Sequence, residues 1–187
     1  MEPIIREARL EDKPFIEEIV RLTWNGEDYL ARVFDEWLGD NFYVLEVDGK
    51  VIGTAKLTLL PGKVGWLEGL RVHPDYRGRG YGRKLHDFML ELGERLAEEG
   101  KIEALEFSTY FLNKESIVMA RKSRFKIVKR FYYIQRPLVV GEEPEISKIA
   151  SLDELDYQDY IPYGWKFLHR CEGSLEWLNR KAEIREY

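Results

Sequence analysis

The chain has 187 residues, a single cysteine at position 171 and a formal net charge of −5 at pH 7. One cysteine excludes an intramolecular disulfide, and the negative charge argues against a general binder of nucleic acid or anionic membranes. No apolar run approaches the roughly 20 residues of a membrane span, and the N-terminal stretch MEPIIRE lacks the features of a signal peptide. We therefore expect a cytoplasmic protein with no membrane or nucleic-acid partner. Charged residues make up 34% of the chain, a bias typical of heat-adapted proteins.

Hydrophobic periodicity predicts alternating short strands and amphipathic helices over residues 1–137. Strands are predicted at residues 4–10, 42–47, 51–59, 64–72, 102–109 and 125–135, and helices after Asp12, over residues 27–38, from the glycine-rich run to residue 98, and after Asn113. Asp48-Gly49 indicates a two-residue type I′ hairpin turn between the second and third strands. This order predicts one α+β, or mixed α/β, domain.

The character of the sequence changes after Pro137. Residues 138–187 contain acidic residues, turn-forming residues and a group of aromatic side chains. A capping box is predicted at residues 151–154, and a last helix is predicted from Ser174 to about Ile184. A segment of this size holds only a marginal core by itself. We therefore predict an appendage that packs on the first domain or on a partner subunit.

A glycine-rich run, RGRGYGR at residues 77–83, lies where the fourth strand leads into a long helix. Such a junction leaves backbone N–H groups without partners at the positive end of a helix, and this arrangement binds phosphate. Glycines let a phosphate approach the backbone, and the arginines add positive charge. A flexible turn with solvated arginines is the alternative on spacing alone. The spacing matches neither the nucleotide-binding P-loop nor the dinucleotide-binding loop.

The run RGRGYG resembles the R/Q-x-x-G-x-G/A signature of the GNAT family of N-acetyltransferases. The preceding stretch LRVHPDYRG (residues 70–78) is similar to the family's strand that enters this loop, and Asn113 and Phe125 fit its later helix motif. The order of elements over residues 3–135 is also similar. The resemblance implies a central, mostly antiparallel sheet with flanking helices, in which the fourth and fifth strands splay apart.

The resemblance implies that acetyl-CoA is the cofactor and that CoA is released as a product. The pyrophosphate would bind residues 77–83. These are Arg77, Gly78, Arg79, Gly80, Tyr81, Gly82 and Arg83. Main-chain groups of Leu70, Arg71 and Val72 would contact the pantetheine and the acetyl carbonyl, with the Leu70 amide as oxyanion donor. By the same resemblance, Asn113 joins the cofactor-binding residues.

Glu68 is the predicted general base. Residues 66, 68, 70 and 72 of the fourth strand are predicted to share one face, and a carboxylate among apolar neighbours has its pKa raised toward the range of a useful base. The stretch WLEGLRV (residues 66–72) also resembles diamine acetyltransferases, in which the matching glutamate is a proposed base. The alternatives are that Glu68 pairs with a buried arginine or binds a cationic substrate.

One departure from the family concerns the general acid. Ala120 stands where many members have a tyrosine, and Arg124 replaces the usual glycine before Phe125. Tyr110, Ser116 or a water molecule could supply the proton, or the thiolate leaves unaided. We take Tyr110 as the catalytic candidate among these.

The acceptor pocket is predicted from aromatic residues near the first two helices and the fourth strand. Trp24, Tyr29 and Trp66 join Glu68 as candidate substrate-binding residues, although Trp24 and Tyr29 are equally well explained as core residues. The histidines at positions 73, 86 and 169 lack metal-ligand spacing, and we expect no metal site.

The predicted function is transfer of an acetyl group from acetyl-CoA to a primary amine of a small molecule or peptide by direct attack. The alternative is a non-catalytic acyl-CoA-binding module whose appendage binds a partner protein. The acceptor candidates are a polyamine, a peptide N-terminus, a lysine or a free amino acid. The last is a candidate because WLEGLRVHP (residues 66–74) resembles a run in histidine N-acetyltransferases. The resemblance also favours a homodimer.

Overall fold

A computed structural model describes residues 2–23, 26, 28–132 and 159–183. In chain order the helices and strands are β1 (Ile4–Glu7), α1 (Lys13–Arg21), α2 (Leu30–Trp37), β2 (Phe42–Val47), β3 (Lys50–Leu60), β4 (Val64–Val72), α3 (Tyr81–Glu98), β5 (Ala104–Glu106), α4 (Lys114–Lys122), β6 (Tyr160–Tyr163), β7 (Lys166–His169) and α5 (Ser174–Glu183). None of the helices in these ranges is long and apolar enough to cross a bilayer.

Five strands form one mixed sheet in the order β1-β2-β3-β4-β5. The first four pair antiparallel, and β4 pairs with β5 in parallel. Asp48 and Gly49 connect β2 and β3 with φ values of +51° and +79°, as a type I′ turn requires. The predicted fold class, a mostly antiparallel sheet with flanking helices, is confirmed.

Both faces of the sheet are covered by helices. Side chains from α1 and α2 pack on one face with residues of β2 and β3: Ile16, Val20, Leu30, Phe34, Trp37, Phe42, Val44 and Val51. The apolar stripe of α3 packs on the other face in a second cluster: Leu45, Ile52, Ala55, Leu57, Leu85, Met89, Leu92 and Leu96. Each large apolar side chain buried in this way contributes about 1.5–3 kcal/mol. The two clusters fix the middle strands, and with them the position of β4.

A β-bulge interrupts β4 at Gly69. The β3–β4 ladder pairs Lys56 with Glu68 and then Thr54 with Arg71, so β4 has one extra residue between these two pairs. Gly69 has a φ of +64°, in the left-handed region that favours glycine. The Thr54 hydroxyl donates a 2.6 Å hydrogen bond to the Gly69 carbonyl and holds the bulge in place.

The bulge moves the later residues of β4 to the opposite face from the one predicted. Trp66 packs with residues of the C-terminal segment, whereas Leu70 and Val72 pack in the α3 cluster. The prediction that residues 66, 68, 70 and 72 share one face is therefore wrong. An extra residue reverses the side-chain alternation of a strand beyond it.

The fifth and sixth predicted strands differ from the structure. β5 spans only Ala104–Glu106, and residues 125–132 form no strand. A strand needs a partner for its amide and carbonyl groups, and a three-residue β5 offers little free edge. Residues 125–132 are instead anchored by side chains, with the Phe131 ring stacked on Phe167 at a centroid distance of 3.7 Å. The predicted sixth strand is wrong over this range, and its last part, 133–135, lies outside the described residues.

The described part of the appendage, residues 159–183, packs on the ends of β3 and β4. The strands β6 and β7 form an antiparallel hairpin, and α5 begins at Ser174 as predicted. The interface is an apolar cluster that joins the two parts of the chain: Leu60, Val64, Trp66, Ile161, Leu168, Trp177 and Leu178. An ion pair between Lys181 and Glu36 connects α5 to α2. The predicted domain boundary at residue 137 and the predicted capping box at 151–154 lie outside the described residues.

The bulge gives a direct test of the strand geometry. A Cβ added at Gly69 would lie 2.7 Å from Trp37 Cζ3, whereas one added at Gly39, which also has a positive φ, would meet nothing within 4 Å. We expect Gly39→Ala to lower the free energy of unfolding by about 1 kcal/mol, from backbone strain alone. Gly69→Ala adds overpacking against the indole and should lower it by about 3 kcal/mol. Equal losses of unfolding free energy for the two variants in urea denaturation would contradict the close approach of Gly69 to the Trp37 indole.

Candidate active site

A cleft opens between β4 and β5 because their ladder ends early. The last pair in this parallel ladder is Trp66 with Glu106, and β4 continues beyond it to Val72. Among the described residues, no strand pairs with residues 67–72 on the β5 side. We call this opening the β4–β5 cleft. It lies where the family resemblance implies splayed strands.

The glycine-rich loop connects the end of β4 to α3. Gly78 and Gly80 have φ values of +74° and +83°, so both positions require the conformational freedom of glycine. Gly80 is the N-cap of α3 and makes no side-chain hydrogen bond to the helix. The first N–H groups of α3 therefore receive no cap from this residue, and the helix dipole makes them attractive to an anion. The stretch from Arg77 to Gly80 is exposed to solvent.

The arginines of the loop contact nearby main-chain and carboxylate oxygens. Arg77 Nε donates to the Val72 carbonyl at 3.0 Å, and Arg79 Nη2 donates to the Asp75 carbonyl at 3.0 Å. Arg83 pairs with a carboxylate one turn along α3. These contacts shape the loop and leave its guanidinium groups at the surface. They place positive charge around the N-terminus of α3.

Glu68 lies at the cleft with two polar partners. Its Oε1 accepts a hydrogen bond from Thr58 Oγ1 at 2.6 Å, and its Oε2 pairs with Lys166 Nζ at 2.6 Å. The carboxylate is only 7% exposed. The prediction that Glu68 lies among apolar neighbours is therefore wrong, because a lysine of β7 faces its carboxylate. The alternative that Glu68 pairs with a buried arginine named the wrong partner, since Lys166 reaches Glu68 only through the folding of the appendage.

Two more ion pairs surround Glu68. Lys56, its register partner on β3, is 1% exposed and pairs with Asp40 at 2.8 Å. Arg71 pairs with the fully buried carboxylate of Asp28 at 2.5 Å. We call these residues, together with Glu68 and Lys166, the charge cluster. Burial lowers the pKa of Lys56, because desolvation disfavours its charged form.

Tyr29 connects the parts of the charge cluster. Burial, and next the negative charge of Glu68, raise the pKa of Tyr29 to about 12. The phenol therefore stays protonated at neutral pH. The Arg71 guanidinium lies 5.7 Å from the centre of its ring, within cation–π range. Trp66 is 3% exposed and packs beneath the appendage, and Trp24 lies outside the described residues.

The β6–β7 hairpin reaches both strands of the β4–β5 cleft. On the β4 side, Lys166 pairs with Glu68. On the β5 side, His169 Nε2 lies 3.0 Å from Glu106 Oε1, and the Ser108 hydroxyl donates to the Trp165 carbonyl at 2.6 Å. The hairpin thus fixes a wall at the mouth of the cleft.

The candidate acids lie near the start of α4. Tyr110 is 53% exposed, and its ring packs edge-on against Phe111. Asn113 Oδ1 accepts a 3.2 Å hydrogen bond from the Ser116 N–H and caps α4, as predicted. Ala120 lies in α4 and carries no proton donor. The described residues contain no group of three or more His, Cys, Asp or Glu side chains that could hold a metal ion.

Two cavities lie near these residues. One, of about 400 Å³, is lined by Val20, Gly26, Asp28, Ala31 and Arg32. It borders the charge cluster through Asp28 and lies on the α1–α2 side of the sheet. The other, of about 350 Å³, lies between α3, β5 and residues 123–125. Only the first contacts a residue of the charge cluster.

The comparison with known proteins agrees with this geometry. Residues 5–124 match the sequence profile of the Acetyltransferase (GNAT) family. A histidine N-acetyltransferase of Xenopus tropicalis is 27% identical over 196 positions, covering 89% of this chain. The chain spans only 60% of the length of that relative.

Solved structures of N-acetyltransferases share the fold. AAC(6')-Iy in complex with a bisubstrate analogue has 19% identity and a TM-score of 0.56, covering 74% of this chain and 100% of that one. The ribosomal-protein-S18-alanine N-acetyltransferase of Escherichia coli has 21% identity and a TM-score of 0.53, covering 65% and 76%. The PaiA N-acetyltransferase of Thermoplasma acidophilum with coenzyme A has 20% identity and a TM-score of 0.50, covering 66% and 89%.

The matched profile covers more than half of the chain, from β1 to the end of α4, and includes the β4–β5 cleft and the glycine-rich loop. The chain belongs to the GNAT family of acetyltransferases.

Proposed function

We propose that the protein transfers an acetyl group from acetyl-CoA to a primary amine by direct attack. One observation carries this proposal: the free edge of β4 beyond Trp66 ends at Val72, and one short 3-10 turn, Pro74–Tyr76, connects it to the exposed loop in which Gly80 is the N-cap of α3. An extended thioester with a pyrophosphate at one end fits such a surface. Its phosphates would meet the helix N-terminus, and its acyl end would reach Glu68.

The donor is acetyl-CoA. Membership of the acetyltransferase family supports this choice, as do the glycines and arginines of the loop. Two of the similar structures contain coenzyme A or a bisubstrate analogue. The carbonyls of Leu70 and Val72 face away from β3, whereas the Arg71 carbonyl faces Gly53 of β3. The stretch Leu70, Arg71 and Val72 would contact the pantetheine along this free edge. In the unbound protein, arginine side chains hydrogen-bond the carbonyls of Leu70 and Val72. These arginines would release the carbonyls when the donor binds.

The reaction requires three proton movements. The acceptor ammonium first loses a proton to Glu68. The neutral nitrogen then forms a bond to the thioester carbon, and the oxyanion of the tetrahedral intermediate accepts a hydrogen bond from the Leu70 amide. The C–S bond breaks, and the sulfur takes its electron pair. The remaining extra proton on nitrogen passes to solvent, while the thiolate takes one from Tyr110 or water.

The amine acceptor lies on the side of the sheet that carries the charge cluster. The bulge supports this assignment, because Glu68, which precedes it, faces α2 and the appendage, whereas Leu70, which follows it, packs toward α3. Tyr29 and the cavity beside Asp28 are on the same side as Glu68. A free amino acid is one acceptor of the proposed class, and the relative from Xenopus tropicalis is a histidine N-acetyltransferase.

A non-catalytic acyl-CoA-binding module is the second candidate. Ala120, in place of a tyrosine acid, favours it. The two candidates differ in one simple observation. An enzyme releases free CoA thiol from acetyl-CoA when an amine is added, and a binding module does not. A homodimer and a cytoplasmic location stay predictions from the sequence.

Gly80 tests the position of the phosphates, with Gly100 as its matched control. The two glycines flank α3, both have positive φ, and an added Cβ would meet no atom within 4 Å at either site. Each alanine variant should lose about 1 kcal/mol of stability. We expect Gly80→Ala to weaken CoA binding at least tenfold in calorimetry, because its methyl group stands against the pyrophosphate. Gly100→Ala should bind CoA normally. Unchanged affinity in Gly80→Ala would place the phosphates elsewhere.

Matched substitutions at Glu68 and Glu106 test which carboxylate is the general base. Both carboxylates flank the mouth of the cleft, and each has a cationic or histidine partner on β7. Loss of a general base costs about 100-fold or more in rate. We expect Glu68→Gln to show this loss in amine-dependent thiol release at pH 7. The loss should shrink as pH rises, since more acceptor arrives already neutral. Glu106→Gln should stay within a few-fold of the unmodified protein. The reverse pattern would make Glu106 the base.

A further inference from the structure

We infer that Lys166 binds the carboxylate of the acceptor, so that the acceptor is a small amino acid in its zwitterionic form. This inference rests on the proposed acetyltransferase function and narrows its substrate class. It starts from the ion pair of 2.6 Å between Lys166 Nζ and Glu68 Oε2. In the unbound protein, this lysine occupies the carboxylate that an incoming ammonium group needs.

The charge cluster is electrically balanced. Its three cations and three carboxylates form the pairs Lys56–Asp40, Arg71–Asp28 and Lys166–Glu68. Five of the six side chains are less than one fifth exposed, Asp40 being the exception. In a site with so little water, an added charge without a partner is strongly unfavourable. The acceptor must therefore preserve the balance.

A simple amine cannot preserve it. Its ammonium group would have to displace Lys166 from Glu68, and the displaced lysine would stay in the site without a counter-ion. Lys56, across the ladder from Glu68, would add to the repulsion. A polyamine brings still more positive charge. A peptide N-terminus has no carboxylate beside its amine and meets the same obstacle.

An amino acid avoids this obstacle by exchanging partners. Its ammonium group pairs with Glu68, and its carboxylate pairs with Lys166, so each buried charge keeps an opposite charge. The two groups of an α-amino acid are attached to one carbon, which suits two protein groups that are themselves in contact. The exchange also frees Glu68 from Lys166, as its role of base requires. Lys166 therefore selects the acceptor and controls access to the base.

The position of Lys166 suits this role. Its side chain is 19% exposed, so a small solute can reach it, and its Nζ lies 6.0 Å from the centre of the Trp37 ring. The hairpin that carries it is held on the β5 side by His169 and Glu106. The lysine thus stays at the mouth of the cleft when it exchanges its partner. The substrate carboxylate would bind at β7 and would not have to enter the protein more deeply.

Pairs of amino acids and their decarboxylated amines test the inference. The panel is L-histidine with histamine, L-lysine with cadaverine and L-tyrosine with tyramine, together with spermidine. Acetyl-CoA and each acceptor are incubated with the full chain, and thiol release is followed. We expect kcat/KM for at least one amino acid to exceed that of its own amine by tenfold or more. Amines that react as well as their amino acids, or better, would overturn the inference.

Variants of Lys166 separate recognition from folding. We expect Lys166→Met to raise KM at least tenfold for the preferred amino acid and to leave unchanged or lower the KM for its amine, since nothing then competes for Glu68. Lys166→Arg keeps the charge and should keep the preference. Lys181→Met removes another paired lysine of the appendage. It should change neither the KM for the amino acid nor the KM for its amine. A parallel loss for amino acid and amine would show that Lys166 is structural and would overturn the inference.

Binding to the CoA-loaded protein distinguishes the failure of this inference from failure of the proposed function. If no acceptor in the panel releases thiol, the protein is not the proposed enzyme. Calorimetric titration of L-histidine and histamine, L-lysine and cadaverine, and L-tyrosine and tyramine into the CoA complex still tests the site. At least tenfold tighter binding of an amino acid, lost in Lys166→Met, would support the carboxylate site. Absence of that preference would overturn it.

Discussion

The left-handed backbone of Gly69 determines which side of the sheet each functional group of β4 faces. Its φ of +64° introduces one extra residue, and the Trp37 indole packs where a side chain would otherwise project. Before the bulge, Glu68 faces α2 and the appendage. After it, Leu70 and Val72 pack toward α3. In the reaction we propose, one strand thereby presents a base to the acceptor on one face and main-chain groups to the acyl donor along its edge.

The appendage supplies residues to the acceptor side of the proposed site. The family profile ends at residue 124, whereas Lys166 and His169 come from the later hairpin. Lys166 supplies the counter-charge of Glu68, and the apolar cluster around Trp66 holds the hairpin on the sheet. A GNAT domain without this hairpin would leave Glu68 near Lys56 and open to solvent. On our proposal, the residues that set the acceptor specificity therefore lie outside the matched family profile.

Local signals predicted what depends on local chemistry. The glycine-rich loop, the turn at Asp48 and the cap at Asn113 each require particular residues at particular positions, and the structure has them there. The face of Leu70 was predicted wrongly, because regular alternation carries no sign of a bulge. The partner of Glu68 was missed since ion pairs across distant segments leave no periodic pattern. The prediction of a strand at residues 125–132 failed because a strand depends on a partner edge as much as on its own sequence.

The central claim is that acetyl-CoA lies along the free edge of β4 with its phosphates at the start of α3. Hydrogen–deuterium exchange with and without CoA measures this directly, because bound main-chain amides exchange more slowly. We expect slower exchange in peptides that cover residues 69–72 and 78–83, and no change in the β2–β3 turn at Asp48. Binding of CoA with unchanged exchange in both segments would contradict the claim.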